Sequence, residues 1–132
     1  MKRILIPSLL ALATLTATPA SAGGSVSFEY TPSTPDEANA VRLGLALYAI
    51  GRAIEGDASV IQKGDGNAAG IGQFGNGNFG VIEQNGDGHE ATLAQDGDNN
   101  AYGIFQFGSG TSGHVEQNGN GGTGLLFQAG WD

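Results

Sequence analysis

From Asp57 onward the chain alternates apolar and polar positions in short runs that stop at a fixed interval. Val60, Ile71, Ile82, Leu93, Ile104, Val115 and Leu126 stand eleven residues apart. Two residues after each comes a glutamine: Gln62, Gln73, Gln84, Gln95, Gln106, Gln117 and Gln128. Two further on stands Gly64, Gly75, Gly86, Gly97, Gly108, Gly119 or Gly130, and Asn67, Asn78 and Asn100 follow their glutamines by five. Seven units in one register define a structural repeat. A right-handed helical supercoil also has an eleven-residue period, but two glycines per unit would each cost about 1 kcal/mol inside a helix. A strand of about seven residues with a four-residue turn fits instead, because the Gly-x-Gly-Asn stretch then takes the turn, where positive φ is cheap for glycine.

Alternation within each strand fixes its inner face. The glutamine, the aliphatic residue two before it and the residue four before it (Ala58, Ala69, Gly80, Ala91, Tyr102, Gly113, Gly124) share that face, and all but Tyr102 in the last group are small. Two units make one 22-residue rung of two strands, and rungs stack in parallel at about 4.8 Å. Stacking predicts one column of Gln62, Gln84, Gln106 and Gln128 and another of Gln73, Gln95 and Gln117. Their amides can then hydrogen-bond along the stack, which removes the penalty for burying them. The expected fold is an all-β parallel β-solenoid over residues 57–132, preceded by one N-terminal α-helix.

The outward faces differ. Odd-numbered strands present Ile61, Val81, Phe105, Phe107, Leu125 and Phe127, whereas even-numbered ones present Gly70, Gly72, Thr92, Ala94, Asp96, His114, Glu116 and Asn118, with Phe74 the exception. A contiguous apolar strip marks an interaction surface, so the odd face is expected either to receive the helix or to join filaments laterally. The last unit, Thr123 to Asp132, contains no proline and one terminal acid. Its strand is expected to be an open, growing edge.

Ahead of the repeats, Lys2 and Arg3, an apolar run from Ile4 to Leu15 and Ala20-Ser21-Ala22 give the pattern of an export signal over residues 1–22. Residues 23–34 read as a flexible linker. Thr34-Pro35-Asp36-Glu37 is a helix start, with Thr34 as N-cap and Glu37 closing a capping box. The amphipathic helix of residues 35–56 carries two apolar stripes, Leu43/Leu47/Ile50/Ile54 and Val41/Leu45/Tyr48. It is expected either to cap the first rung, as terminal elements of solenoids do, or to anchor the protein to a surface or partner.

Composition narrows the functions. The chain has 132 residues with 24 Gly, no Cys, and five basic against 13 acidic residues. Loss of the export segment leaves Arg42, Arg52 and Lys63 against all 13 acids, a net charge of −10. That balance excludes nucleic acid held by phosphate neutralisation, and the missing cysteine excludes disulfides, thiolate metal sites and a Cys nucleophile. His89, placed in a turn, and His114, on an outward position, form no catalytic or metal-ligating spacing and are expected to be solvated. Asp65, Asp87 and Asp98 after the turn glycines invite comparison with calcium-binding β-rolls, whose period is nine rather than eleven. No cofactor, no small-molecule substrate and no enzymatic activity are expected.

Gln62-Lys63-Gly64-Asp65-Gly66-Asn67-Ala68-Ala69 followed by Gln73 resembles the repeat of the curlins, subunits of bacterial curli amyloid fibres. His89-Glu90-Ala91 keeps the family's Ala and loses its Asn, Asn100-Ala101-Tyr102 does the reverse, and the leading Ser of the family repeat is absent. The resemblance covers residues 57–132. It implies a secreted subunit on the surface of a Gram-negative bacterium, polymerising with itself and with another curlin after passage through curli-type outer-membrane export machinery, and serving adhesion and biofilm matrix. The glutamines, with Asn67, Asn78 and Asn100, are then its polymerisation ladders. A monomeric, acidic solenoid acting as a binding module, with calcium as a candidate ligand, is the alternative.

Overall fold

The computed structural model describes residues 14–17, 24–51 and 56–132. Seven strands follow the repeat: β3 (Ala58–Lys63), β4 (Ala68–Phe74), β5 (Phe79–Asp87), β6 (Glu90–Asp96), β7 (Ala101–Ser109), β8 (Ser112–Asn118) and β9 (Thr123–Trp131). They wind as a parallel β-solenoid. Odd strands stack in the order β9, β7, β5, β3 and even strands in the order β4, β6, β8. The register advances by one rung per step, pairing Gln62 with Gln84, Gln84 with Gln106 and Gln106 with Gln128. The even sheet pairs Gln73 with Gln95 and Gln95 with Gln117.

Between the sheets, Ile82, Leu93 and Ile104 are completely buried beside Ala91, Tyr102 and Leu126. This is the small, aliphatic and amide core that the alternation predicts. The turns explain why the first glycine of each is glycine. Gly86 has φ +127°, and a Cβ there would overlap the carbonyl oxygen of Gly108 in the next rung. Positive φ and close stacking therefore each exclude a side chain. The second turn position is also left-handed, and Asn99 at φ 61° is the non-glycine residue that adopts it. Gly130 departs from the set in its backbone, which is not left-handed, although like Gly86 and Gly108 it lies inside its strand, paired with Ser25 and Gly108.

The region ahead of the repeats differs from its expected form. Gly24–Tyr30, read as part of a flexible linker, is strand β2, and it pairs antiparallel with β9 from Gly24↔Trp131 to Tyr30↔Leu125. A further short strand, β1 (Thr14–Ala17), pairs antiparallel with the other edge of β2. Apart from β1, the expected export segment lies outside the described residues. The edge of β9, expected to be open, is thus covered. Among the described residues the edge of β8 stays uncovered, and so does the first rung, at the other end: Ala58, Val60 and Gln62, the inward residues of β3, are exposed.

Helix α1 (Pro35–Gly51) starts as its sequence indicates. The Thr34 hydroxyl accepts the Glu37 N–H at 3.1 Å. The Glu37 carboxylate reaches back one residue beyond the expected partner, accepting the Ser33 N–H at 3.2 Å and the Tyr30 hydroxyl at 2.8 Å. The helix does not cover the first rung. It lies along the odd outward face, where Val41, Leu45 and Tyr48 pack on Val81, Phe105 and Leu125. Tyr48 meets Phe105 edge-on at 5.3 Å, and Phe105 stacks on Phe127 at 5.1 Å. Burying Val41 and Leu45 contributes on the order of 1.5–3 kcal/mol each, which fixes this stripe inward. Leu43 and Leu47 of the second stripe stay exposed. The side chains of Ile50 and Ile54 lie outside the described residues.

Candidate functional site

The side-chain chemistry that repeats along this molecule is amide chemistry. Gln62 Nε2 donates to Gln84 Oε1 at 2.7 Å, Gln84 to Gln106 at 2.8 Å and Gln106 to Gln128 at 2.7 Å. In the even column Gln73 donates to Gln95 and Gln95 to Gln117, both at 2.8 Å. From Gln73 onward each amide nitrogen also donates to a backbone carbonyl across the rung, Gln84 to Ala68 at 2.9 Å and Gln95 to Phe79 at 2.9 Å. Gln84, Gln95 and Gln106 are fully buried, and their amide groups are satisfied as a buried polar group requires.

The ladders have a direction, because in every Gln–Gln bond the Nε2 comes from the earlier rung and the Oε1 from the later one. Among the described residues no donor reaches the Oε1 atoms of Gln62 and Gln73, which face out of the first rung. At the other end Gln128 Nε2 meets the Ser27 hydroxyl of β2 at 2.8 Å and the Ser112 carbonyl at 2.7 Å.

The asparagines do not pair with one another's amides. Asn67, Asn78 and Asn100 donate to the carbonyls of Gly86, Gly97 and Gly119 in the following rung at 2.8–2.9 Å. Their Oδ1 atoms accept the backbone N–H of His89, Asn100 and Gly122 at 2.9–3.0 Å. They tie turn to turn, while the glutamines tie core to core. The turn acids do related work: Asp87 accepts the Asp65 N–H at 2.8 Å and Asp98 the Asn76 N–H at 2.9 Å. Those carboxylate oxygens are committed to backbone donors.

His89 takes the place of an asparagine in its column and is buried, not solvated as its turn position suggests. Its Nδ1 lies 2.8 Å from Thr111 Oγ1 and accepts the Thr111 N–H at 3.3 Å, while its Nε2 has no partner among the described residues. The eleven-residue register carried this information, since His89 stands five after Gln84 as Asn67 does after Gln62. His114 is exposed beside Thr92 Oγ1 at 2.6 Å and Glu90 at 3.4 Å. Among the described residues no group of three or more His, Cys, Asp or Glu is placed to hold a metal ion.

Strand β2 was the main element missed. Ser25, Val26, Ser27, Phe28, Glu29 and Tyr30 alternate polar and apolar in the manner of a half-buried strand, so a signal was present. Val26, Phe28 and Tyr30 extend the apolar outer face, with Phe28 6.4 Å from Phe127. Glu29 projects to the inner side, where its carboxylate accepts the Tyr102 hydroxyl at 3.1 Å. Two phenols thus tie β2 to its surroundings. Burial, and then the Glu37 carboxylate, push the Tyr30 phenol up to about 12, and burial followed by Glu29 raises that of Tyr102 as well.

Two-strand rungs, interior amide ladders and glycine-rich turns define a repetitive β-solenoid whose regular side-chain chemistry is stacking. Residues 57–79 and 75–104 match the family model of the curlin associated repeat. Residues 57–104 are thus similar to the curlin associated repeat, the repeat of curli-type structural subunits. No curated protein and no solved structure matches it.

Proposed function

We propose that the protein is a secreted subunit that polymerises edge to edge into curli-type extracellular fibres, with itself and with another curlin, and that these fibres serve adhesion and biofilm matrix. The observation that carries the reading is the directional amide ladder ending in outward Oε1 atoms at an uncovered first rung. A rung from another chain that presents Gln Nε2 donors and an aliphatic residue continues both the ladder and the core without new chemistry. The seven glutamines, Asn67, Asn78 and Asn100 are the residues assigned to polymerisation. Passage through curli-type outer-membrane machinery and removal of residues 1–22 belong to the same proposal.

Purified protein should form fibres with a meridional reflection near 4.8 Å, and Gln84→Ala with Gln95→Ala should slow their growth. Fibre formation at the unmodified rate by the double variant would refute the ladder as the basis of assembly. A second reading, a monomeric solenoid acting as a binding module, draws on the pairing of β2 over β9, which closes one edge as solenoid caps do. It predicts a protein that stays monomeric at any concentration.

A further inference from the structure

The two ends of the solenoid are unequal, and the inequality lies in β2. Its inward residues are Ser25, Ser27 and Glu29, set opposite Gly130, Gln128 and Leu126. An aliphatic and amide column therefore ends under a polar strand. Ser27 Oγ accepts from Gln128 Nε2, the place that the Oε1 of a following glutamine holds in every earlier rung. The substitute is partial in a second way: β2 covers β9 alone, and β8 ends the even sheet with no strand beyond it among the described residues.

Among the described residues the winding has seven strands, the last of them, β9, in the odd column. A second copy that continues the same winding does not repeat the first copy's orientation. It enters turned by half a rung, with its β3 on β8 and its β4 on β9. In that register Val60 lies over Val115 and Gln62 over Gln117, while Ile71 lies over Leu126 and Gln73 Oε1 meets Gln128 Nε2. The incoming edge is open: Val60, inward on β3, is 40% accessible.

Resting on the fibre reading above, we propose that β2 is a displaceable plug on β9, and that its competitor is β4 of a second copy docked with this half-turn. While β2 is seated, the chain accepts another subunit only at its first rung. Once β2 leaves, both ends are templates. Strand β1, which holds the outer edge of β2, lies within the expected export segment, so processing of that segment removes one of the two neighbours of the plug.

A reversible lock tests this. Val26 and Ala129 are Cα partners across the β2–β9 pair, take no part in the amide ladder, and the chain has no cysteine of its own. In the full chain carrying Val26→Cys and Ala129→Cys, oxidation should slow dye-detected elongation at least about tenfold by abolishing the competent state, and reduction should restore the unmodified rate. Phe28→Ser, which loosens β2 from Phe127, should shorten the lag. Equal growth of the oxidised and reduced forms overturns the plug and leaves the fibre reading standing; absence of fibres from the unmodified chain overturns both. Mixed fibres of Phe74→Cys and Ala129→Cys chains should form intermolecular disulfides. Cross-linking of Lys63→Cys to Ala129→Cys chains in their place would show that subunits stack without the half-turn.

Discussion

Truncating a glutamine should cost very different amounts at the middle and at the edge of the ladder. In Gln84→Ala, three hydrogen bonds vanish: those to Gln106 Oε1 and Ala68 O, and the one from Gln62 Nε2. The orphans are not equivalent. Gln62 and Ala68 are exposed, so water can replace what they lose, but Gln106 is fully buried and its Oε1 is left without a donor. An unsatisfied buried acceptor costs about 1–3 kcal/mol and the lost net bond energy about 1 kcal/mol more. The variant should therefore lose about 2–4 kcal/mol, with any unfilled cavity adding to this. That is a large share of the ~5–15 kcal/mol that stabilises an ordinary domain. Gln62→Ala removes the single bond to Gln84 Oε1, but Gln62 is exposed, so its truncation opens that acceptor to water and should cost no more than about 1 kcal/mol. Urea unfolding of the two variants, followed by circular dichroism under conditions that keep the protein monomeric, measures the difference. Equal losses, or a loss below about 0.5 kcal/mol for Gln84→Ala, would refute the account of a satisfied interior ladder.

His89→Asn should raise stability by about 1 kcal/mol, because asparagine can accept the Thr111 N–H and donate to the Gly108 carbonyl without leaving a buried nitrogen unpartnered; a lower urea midpoint would count against this. Gly86→Ala should cost about 3 kcal/mol or more, since it combines left-handed strain with overlap on the Gly108 carbonyl, and a near-unchanged midpoint would show that the stacked turns can give way. The Tyr30 phenol, raised from 10.0 to about 12, stabilises the fold fully below pH 10 and loses that contribution as pH rises through 12. Alkaline titration should therefore release β2 and the start of α1, as seen by hydrogen exchange, and Tyr30→Phe should remove that part of the pH dependence.

The repeat domain was legible because its information is local and periodic. Eleven-residue spacing, alternation within strands and glycine at the turns are properties of neighbouring residues, and stacking copies of one unit leaves a single register in which aliphatic residues and amides meet their own kind. The helix start was legible for the same reason, as Thr34, Pro35 and Glu37 act within one turn. The address of each flanking element was not. The helix stripe of Val41, Leu45 and Tyr48 fits any apolar surface, and only the assembled odd face, where Val81 and Phe105 from different rungs become contiguous, decides where it lies. The alternation from Ser25 to Tyr30 could have marked a strand, but pairing it with β9 joins residues about a hundred positions apart (Ser27 with Gln128). Such a long-range choice depends on which edge the folded solenoid leaves free. Tertiary structure alone therefore set the asymmetry of the two ends: the sequence dictates rungs of one register, and long-range pairing determines which end is covered.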